Sequence, residues 1–209
     1  MDNRRRGFIL VLSSPSGAGK TTVSKLLMQQ DSGIVVSVSA TTRPPRDGEI
    51  HGKDYFFMTP EEFKQSRSNN EFLEHAKVFG NYYGTLRASV EQKLENGRDI
   101  LLDIDWQGNI QLIQNARSDV VSVFMLPPSL AALRERLLTR GLDSQEVIDE
   151  RMRRAKHEIS HWYGYDYVIV NNNIDETLDS VLSILHAERA RRTRQQGLWD
   201  FVENMFKSE

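Results

Sequence analysis

The chain has 209 residues, enough for one well-packed core with a small inserted subdomain. Hydrophobic residues at 39% and charged residues at 27% are ordinary for a soluble globular protein, and the net charge of −2 argues against nucleic acid or a membrane as the main partner. With no cysteine there is neither a disulfide framework nor a Cys-ligated metal, so any bound anion must be met by local clusters of Arg and Lys.

The first residues, Met1 to Arg6, are basic, but the apolar run behind them is too short for a signal segment, and no stretch approaches the ~18 apolar residues of a membrane span. The expected location is cytoplasmic. Phe8 to Leu12 reads as a buried strand that runs into Ser13-Ser14-Pro15-Ser16-Gly17-Ala18-Gly19-Lys20-Thr21-Thr22. This is close to G-x-x-x-x-G-K-[ST], with Ser14 at the first position. Gly17 and Gly19 let the backbone turn its N–H groups inward onto phosphate oxygens, and the next helix adds its N-terminal partial charge. In such a loop Lys20 reaches the β- and γ-phosphates and the Thr21 hydroxyl sits on Mg²⁺.

Val23, Leu26 and Leu27 continue at helical spacing to about Asp31-Ser32-Gly33, and Ile34 to Ala40 alternates as a strand. Thr41 to Glu49, with Pro44, Pro45 and Gly48, is an irregular loop bearing Arg43 and Arg46. Asp54 to Met58 reads as a strand, and Thr59-Pro60-Glu61-Glu62 as a capping box opening a helix. Ser66 to Arg87 is polar and aromatic, with Gly80 to Gly84 expected as a turn, so 40–95 is taken as an insertion of mixed strands and helices. Asp99 to Asp105 is the next core strand, and Val120 to Leu126 another, stopped by Pro127-Pro128. Ser129 caps a helix with Leu130, Leu133 and Leu137 on one face; Arg140 to Ser144 breaks it, and a second, Arg-rich helix runs to about His157. Tyr167 to Val170 is the last strand, and Asp175 is expected to cap a long terminal helix. Strands alternating with helices predict a parallel sheet covered on both faces.

Asp103 and Asp105, two apart at a strand end, share a face; either one is a candidate to hold Mg²⁺ directly or through water, the alternative being a capping or salt-bridging acid. Arg134, Arg136, Arg140, Arg151, Arg153 and Arg154 crowd the break at Gly141. Arg134 and Arg153 read as solvated helix residues paired to nearby acids, whereas Arg136, Arg140 and Arg151 are equally suited to phosphate on a mobile lid. His157-Glu158-Ile159-Ser160-His161 matches H-E-x-x-H, the zinc-protease pattern, but no third ligand context follows, and partly exposed helix histidines are the expectation.

With these residues in place, the chain resembles a guanylate kinase of the bacterial type, one of the P-loop nucleoside monophosphate kinases. The resemblance runs from about Gly7 to Ala187 and is carried by Ser39-Ala40-Thr41-Thr42-Arg43-Pro44-Pro45-Arg46, Gly48 to Tyr55, Glu71-Phe72-Leu73-Glu74, Gly80 to Thr85, and Leu102 to Gly108. It implies an α/β P-loop three-layer fold with a mainly parallel sheet. The core would be 1–39, 96–130 and 158–209, with a GMP-binding insertion at 40–95 and an Arg-rich helical lid at 131–157.

By resemblance, ATP is bound by Ser14, Pro15, Ser16, Gly17, Ala18, Gly19, Lys20, Thr21 and Thr22, with Arg136, Arg140 and Asn171, the last near the adenine. GMP phosphate falls to Arg43, Arg46, Tyr55 and Tyr83, and guanine to Ser39, Glu74, Thr85 and Asp103. The catalytic set is Lys20, Arg43, Arg140, Arg151 and Asp105, with Mg²⁺ on Thr21 and, through water, on Asp105. The implied reaction is ATP + GMP → ADP + GDP, with dGMP a further candidate acceptor. Guanine suits a carboxylate at Glu74, because N1–H and the 2-amino group are two donors on one edge, whereas adenine N1 is an acceptor. The alternatives are a kinase for another monophosphate and a binding-only relative, and the presence of Lys20, Asp105 and the lid arginines counts against the second. Trp199, Leu198 and Phe201 near the C-terminus are candidates for self-association, beside a basic run of Arg189, Arg191, Arg192 and Arg194 expected to form a solvated helical face.

Overall fold

The computed structural model describes residues 5–78, 80–139 and 144–207. Its core runs β1 (Ile9–Ser13), α1 (Lys20–Gln30) and β2 (Ile34–Val36), then resumes at α3 (Arg87–Glu95), β7 (Asp99–Asp103) and α4 (Trp106–Ala116). There follow β8 (Val120–Leu126), α5 (Leu130–Thr139), α6 (Gln145–Ile159), β9 (Tyr167–Val170), α7 (Ile174–Arg189) and α8 (Leu198–Lys207). Between β2 and α3 come β3 (Ala40–Thr41), β4 (Phe56–Phe57), α2 (Pro60–Ser68), β5 (Phe72–Val78) and β6 (Asn81–Leu86).

The main sheet has the order β2-β7-β1-β8-β9, with every pairing parallel. β1 sits at its centre and all of its residues are buried, which is why Ile9 to Leu12 is continuously apolar rather than alternating. Val23 and Leu27 of α1 join Leu178, Val181 and Leu185 of α7 on one face, while Val90 and Leu94 of α3 join Leu112 of α4 on the other. Each such fully buried aliphatic side chain contributes about 1.5–3 kcal/mol relative to exposure, so these two layers fix where the ends of the strands lie. The α/β class expected from the alternation of strands and helices is the one observed.

The second sheet is mixed, in the order β4-β3-β6-β5. Its core is aromatic: Phe63 of α2 stacks on Phe72 at 4.4 Å and on Tyr82 at 5.4 Å between ring centroids. α2 opens with the predicted capping box, Thr59 accepting from the Glu62 N–H and Glu62 accepting from the Thr59 N–H.

Several local expectations are corrected. The stretch Ile34 to Ala40 is not one strand; Val36 ends β2 in the main sheet and Ala40 begins β3 in the other, so the chain changes sheet there. The strand expected over Asp54 to Met58 is only Phe56–Phe57. Gly80 to Gly84 is not a turn. Gly80 turns with φ 86°, and Tyr82 to Gly84 lie inside β6, paired antiparallel with β5. Polar strands of this kind escaped detection because their residues do not alternate in hydrophobicity. β7 stops at Asp103, and Asp105 caps α4 instead of extending the strand. Asn173, not Asp175, caps α7, accepting from the Asp175 N–H at 2.8 Å.

The C-terminal arginines form no solvated helical face. Arg189 binds Asp31 and the fully buried Asp99, while Arg194 is buried on Glu188 and lies over the Phe8 ring. They tie the C-terminal segment to the bottom of the sheet. Ser129 caps as expected, its side-chain oxygen accepting from the Ala132 N–H at 3.0 Å. Among the described residues no helix is long and apolar enough to cross a membrane.

Candidate active site

The phosphate loop joins the C-terminal end of β1 to α1, the end of a parallel strand where ligands bind in open α/β sheets. Gly17 and Gly19 hold φ of 93° and 100°, a left-handed conformation that side chains rarely adopt. A β-carbon on Gly19 would lie 2.6 Å from Asn171 Nδ2, so this glycine is required twice over. Gly19 stands at the N-cap of α1 with no side-chain cap, leaving the first N–H groups of the helix open to an anion. Behind the loop Ala18 is buried with Leu133 and Leu137 of α5 and Ile148, Met152 and Ala155 of α6. α5 and α6 therefore pack directly on the back of the phosphate loop.

The cationic and acidic groups expected there are brought together. Lys20 forms an ion pair with Asp103 at the end of β7. Asp105 Oδ1 accepts from the N–H groups of Gln107 and Gly108, both at 3.0 Å. The two acids thus do not share one strand face: one pairs with the loop lysine and the other caps a helix beside it. Ser14, Pro15 and Thr22 lie in the same loop and first helical turn, with Thr21 and Thr22 exposed.

A cavity of about 650 Å³ opens beside the loop, lined by Gly17, Gly19, Thr22, Arg136, Asn171 and Ile174 among others. Arg136 is aimed here by donating to the Asn171 carbonyl at 3.1 Å. Asn171 lines the cavity, but its amide is committed elsewhere: Nδ2 donates to the Ala18 carbonyl at 2.6 Å and Oδ1 accepts from Thr177 at 2.9 Å. It holds the loop rather than presenting a free edge. Arg140 lies outside the described residues. Arg151 lies on α6, and Arg134 and Arg153 pair with Asp149 and Glu150, as their helix-surface reading required.

The second sheet faces this loop with a different set. Glu74 is on β5 and 7% exposed, not on the surface of an amphipathic helix. Thr85 on β6 donates to its Oε1 at 2.6 Å. Burial raises the Glu74 carboxyl above its usual value against the lowering hydrogen bond from Thr85. Ser39 ends the crossing between the sheets, its carbonyl accepting from the Phe56 N–H at 2.9 Å.

Arg43 lies 5.4 Å from the Tyr55 ring centroid, and the Tyr55 and Tyr83 rings are 6.1 Å apart. Glu49 accepts from Arg43 at 2.7 Å and from the Arg46 N–H at 2.7 Å, and these bonds hold the Glu49 carboxyl below its usual range. Tyr55 and Tyr83 therefore cluster around a pre-positioned Arg43, and Arg46 is tied to the same Glu49 through its backbone N–H.

Sequence reasoning missed two acids. Glu49 orders the arginine loop, and Glu158 of α6 accepts from the Ser16 N–H at 3.3 Å, with its carboxyl raised by burial. Glu158 was visible only as the middle of H-E-x-x-H. Its flanking histidines stack instead on Trp106, with His161 at 3.8 Å and His157 at 5.7 Å between ring centroids. Among the described residues no group of three or more His, Cys, Asp or Glu is placed to hold a metal ion. A larger cavity of about 790 Å³ lies at the opposite end of the sheet, but its Arg6, Arg117 and Arg194 are engaged by Asp119, Asp166 and Glu188.

A phosphate loop at the end of a parallel strand, two helices packed on its back and a second sheet carrying a buried carboxylate define a P-loop nucleotide kinase. Residues 6–188 match the guanylate kinase family model. The guanylate kinase of Novosphingobium aromaticivorans is 58% identical over 97% of this chain and 92% of its own length. That of Paramagnetospirillum magneticum is 56% identical over 96% and 94%. The crystal structure of guanylate kinase from Anaplasma phagocytophilum superposes with a TM-score of 0.73 at 44% identity, covering 97% of each chain. The chain belongs to the guanylate kinase family, and it is an enzyme that phosphorylates GMP to GDP with ATP.

Proposed function

We propose that the labour of this reaction is divided between the two sheets. The core, 1–39, 96–130 and 158–209, binds ATP through Ser14 to Thr22, with Arg136, Arg140 and Asn171 bounding the base and ribose side. The insertion, 40–95, with α3 as its seat on the core, holds GMP; 131–157 is the lid. The observation that carries this is the buried Glu74–Thr85 pair, an acceptor that forms no ion pair among the described residues. Such a group favours a ligand with two adjacent donors, and guanine has them.

Thr85, Ser39 and Asp103 complete the base site, and Arg43, Arg46, Tyr55 and Tyr83 receive the GMP phosphate. Glu49 keeps Arg43 in place, and a bidentate phosphate is a stronger partner for the same fork. No protein base is needed, because the second pKa of a phosphate monoester is ~6 and the attacking oxygen is already anionic near neutrality. What remains is to bring two anions together in line and neutralise them, the task of Lys20, Arg43, Arg140 and Arg151. Closure of the lid would exclude water as a competing acceptor.

Mg²⁺ fits the groups present. The exposed Thr21 hydroxyl and the Asp105 carboxylate are hard oxygen donors suited to an ion that keeps several waters. When bound it would offset the negative charge that builds on the ATP phosphates. An enzyme of these substrates belongs in the cytoplasm, where both are found.

Self-association through α8 belongs to the same reading. α8 buries no residue of its own chain, and Phe201, Val202, Met205 and Phe206 are exposed on it. Antiparallel pairing with a second copy sets Phe201 against Phe206, Val202 against Met205 and Asp200 against Lys207. A coupled assay comparing GMP, dGMP, AMP, dTMP and UMP tests the division: GMP and dGMP are expected to turn over far faster than the rest. Equal use of AMP would defeat it.

A further inference from the structure

β5 is an edge strand, yet its outer edge beside Glu74 is already paired by side chains. Gln111 of α4 accepts from the His75 N–H at 3.0 Å and donates to the His75 carbonyl at 3.0 Å. Asn115, one turn further on, donates to the Leu73 carbonyl at 2.9 Å. A carboxamide that spans the N–H and C=O of one residue offers what a neighbouring strand would offer. The two residues so held are the immediate neighbours of Glu74.

Gly108, Gln111 and Asn115 fall at i, i+3 and i+7, one face of α4. Gly108 permits the close approach: a β-carbon there would stand 3.4 Å from Glu74 Oε2 and 3.1 Å from Ile104 Cδ1. The same helix begins at Asp105, beside the phosphate loop. α4 therefore references the base-reading carboxylate to the phosphoryl-transfer end of the core. Hydrogen bonds to a base tolerate displacements of only about 0.5 Å, so whatever fixes the backbone at Leu73 and His75 fixes selectivity.

We propose that Gln111, supported by Asn115, is a specificity-determining positioning residue: it clamps β5 on both sides of Glu74 and so holds the carboxylate for both guanine donors. This rests on Glu74 reading guanine. IMP keeps N1–H and lacks the 2-amino group, so the ratio of kcat/KM for GMP over IMP reads the second hydrogen bond. Gln111→Met keeps length and removes both clamp bonds. The ratio is expected to fall about tenfold, through KM for GMP, while KM for ATP stays within about twofold. Asn115→Ala, at an exposed position, is expected to lower the ratio about threefold and serves alone if the first variant does not fold. A merely structural role would lower the melting temperature and leave the ratio intact. Glu74→Gln is the reference arm. If it collapses the ratio while both clamp variants preserve it, the clamp is wrong. If Glu74→Gln itself preserves the ratio, the reading of Glu74 fails, and the clamp with it.

Discussion

The two nucleotide-facing regions are built on opposite plans. On the proposed reading the phosphate loop binds through backbone N–H groups, and the sequence supplies mainly what the backbone needs: Gly17 and Gly19 at positive φ, and Ala18 small enough to bury under α5 and α6. On the same reading the second sheet binds through side chains drawn from β5, β6 and the arginine loop, beside an aromatic core of Phe63, Phe72 and Tyr82. The first plan recognises any polyphosphate. The second distinguishes one base from another, and it does so with groups that must be desolvated to be selective.

Damage to each plan should therefore differ in kind. Lys20→Ala is expected to lower kcat with GMP on the order of 10³-fold or more, because it removes charge where charge develops. Steady-state turnover in the coupled assay reads this directly, and a loss below tenfold would break the comparison. Gly19→Ala comes next. The new β-carbon meets Asn171 Nδ2, which cannot retreat because it is bonded to Ala18 and its partner oxygen to Thr177. KM for ATP is expected to rise about tenfold with KM for GMP little changed.

Acidification should do the reverse. Burial raises Glu74 above the usual carboxylate value, so as pH falls it takes up its proton earlier than a solvated carboxylate does. The neutral acid loses an acceptor for guanine, and KM for GMP is expected to rise in the acidic window where Glu74 protonates while KM for ATP holds. Because the native pKa lies above the unfolded one, ionising Glu74 also subtracts stability as pH rises through that window. In Glu74→Gln the rise in KM should disappear. Smallest of all, Thr59→Ala breaks the capping box of α2 and should lower the melting temperature by about 2–4 °C without changing base preference.

The contrast also explains how much was legible in advance. The phosphate loop, β1, β8 and β9 were readable because continuous apolar runs and glycine spacing are local signals. β5 and β6 were not, since Glu74, His75, Tyr82, Tyr83 and Thr85 alternate nothing a hydrophobic pattern detects. Resemblance to a family pointed to Glu74, Tyr83 and Thr85 as site residues, but not to the strands that carry them. Asp105 looked like the end of a strand because a capping acid and a metal-binding acid have the same chemistry, and only its bonds to Gln107 and Gly108 separate them. The clamp of Gln111 on His75 spans 36 residues and leaves no local trace. Glu158 lay inside a zinc-like motif whose meaning depended on Trp106, far away in the chain.

The central claim is that phosphate binding and base reading are separable on this chain. Calorimetric titration of Glu74→Ala with GMP and, separately, with ATP tests it most directly. GMP affinity should fall by on the order of 10²-fold or more, with ATP affinity within about twofold of the unmodified protein. Equal losses for both nucleotides, or none for GMP, would contradict the account.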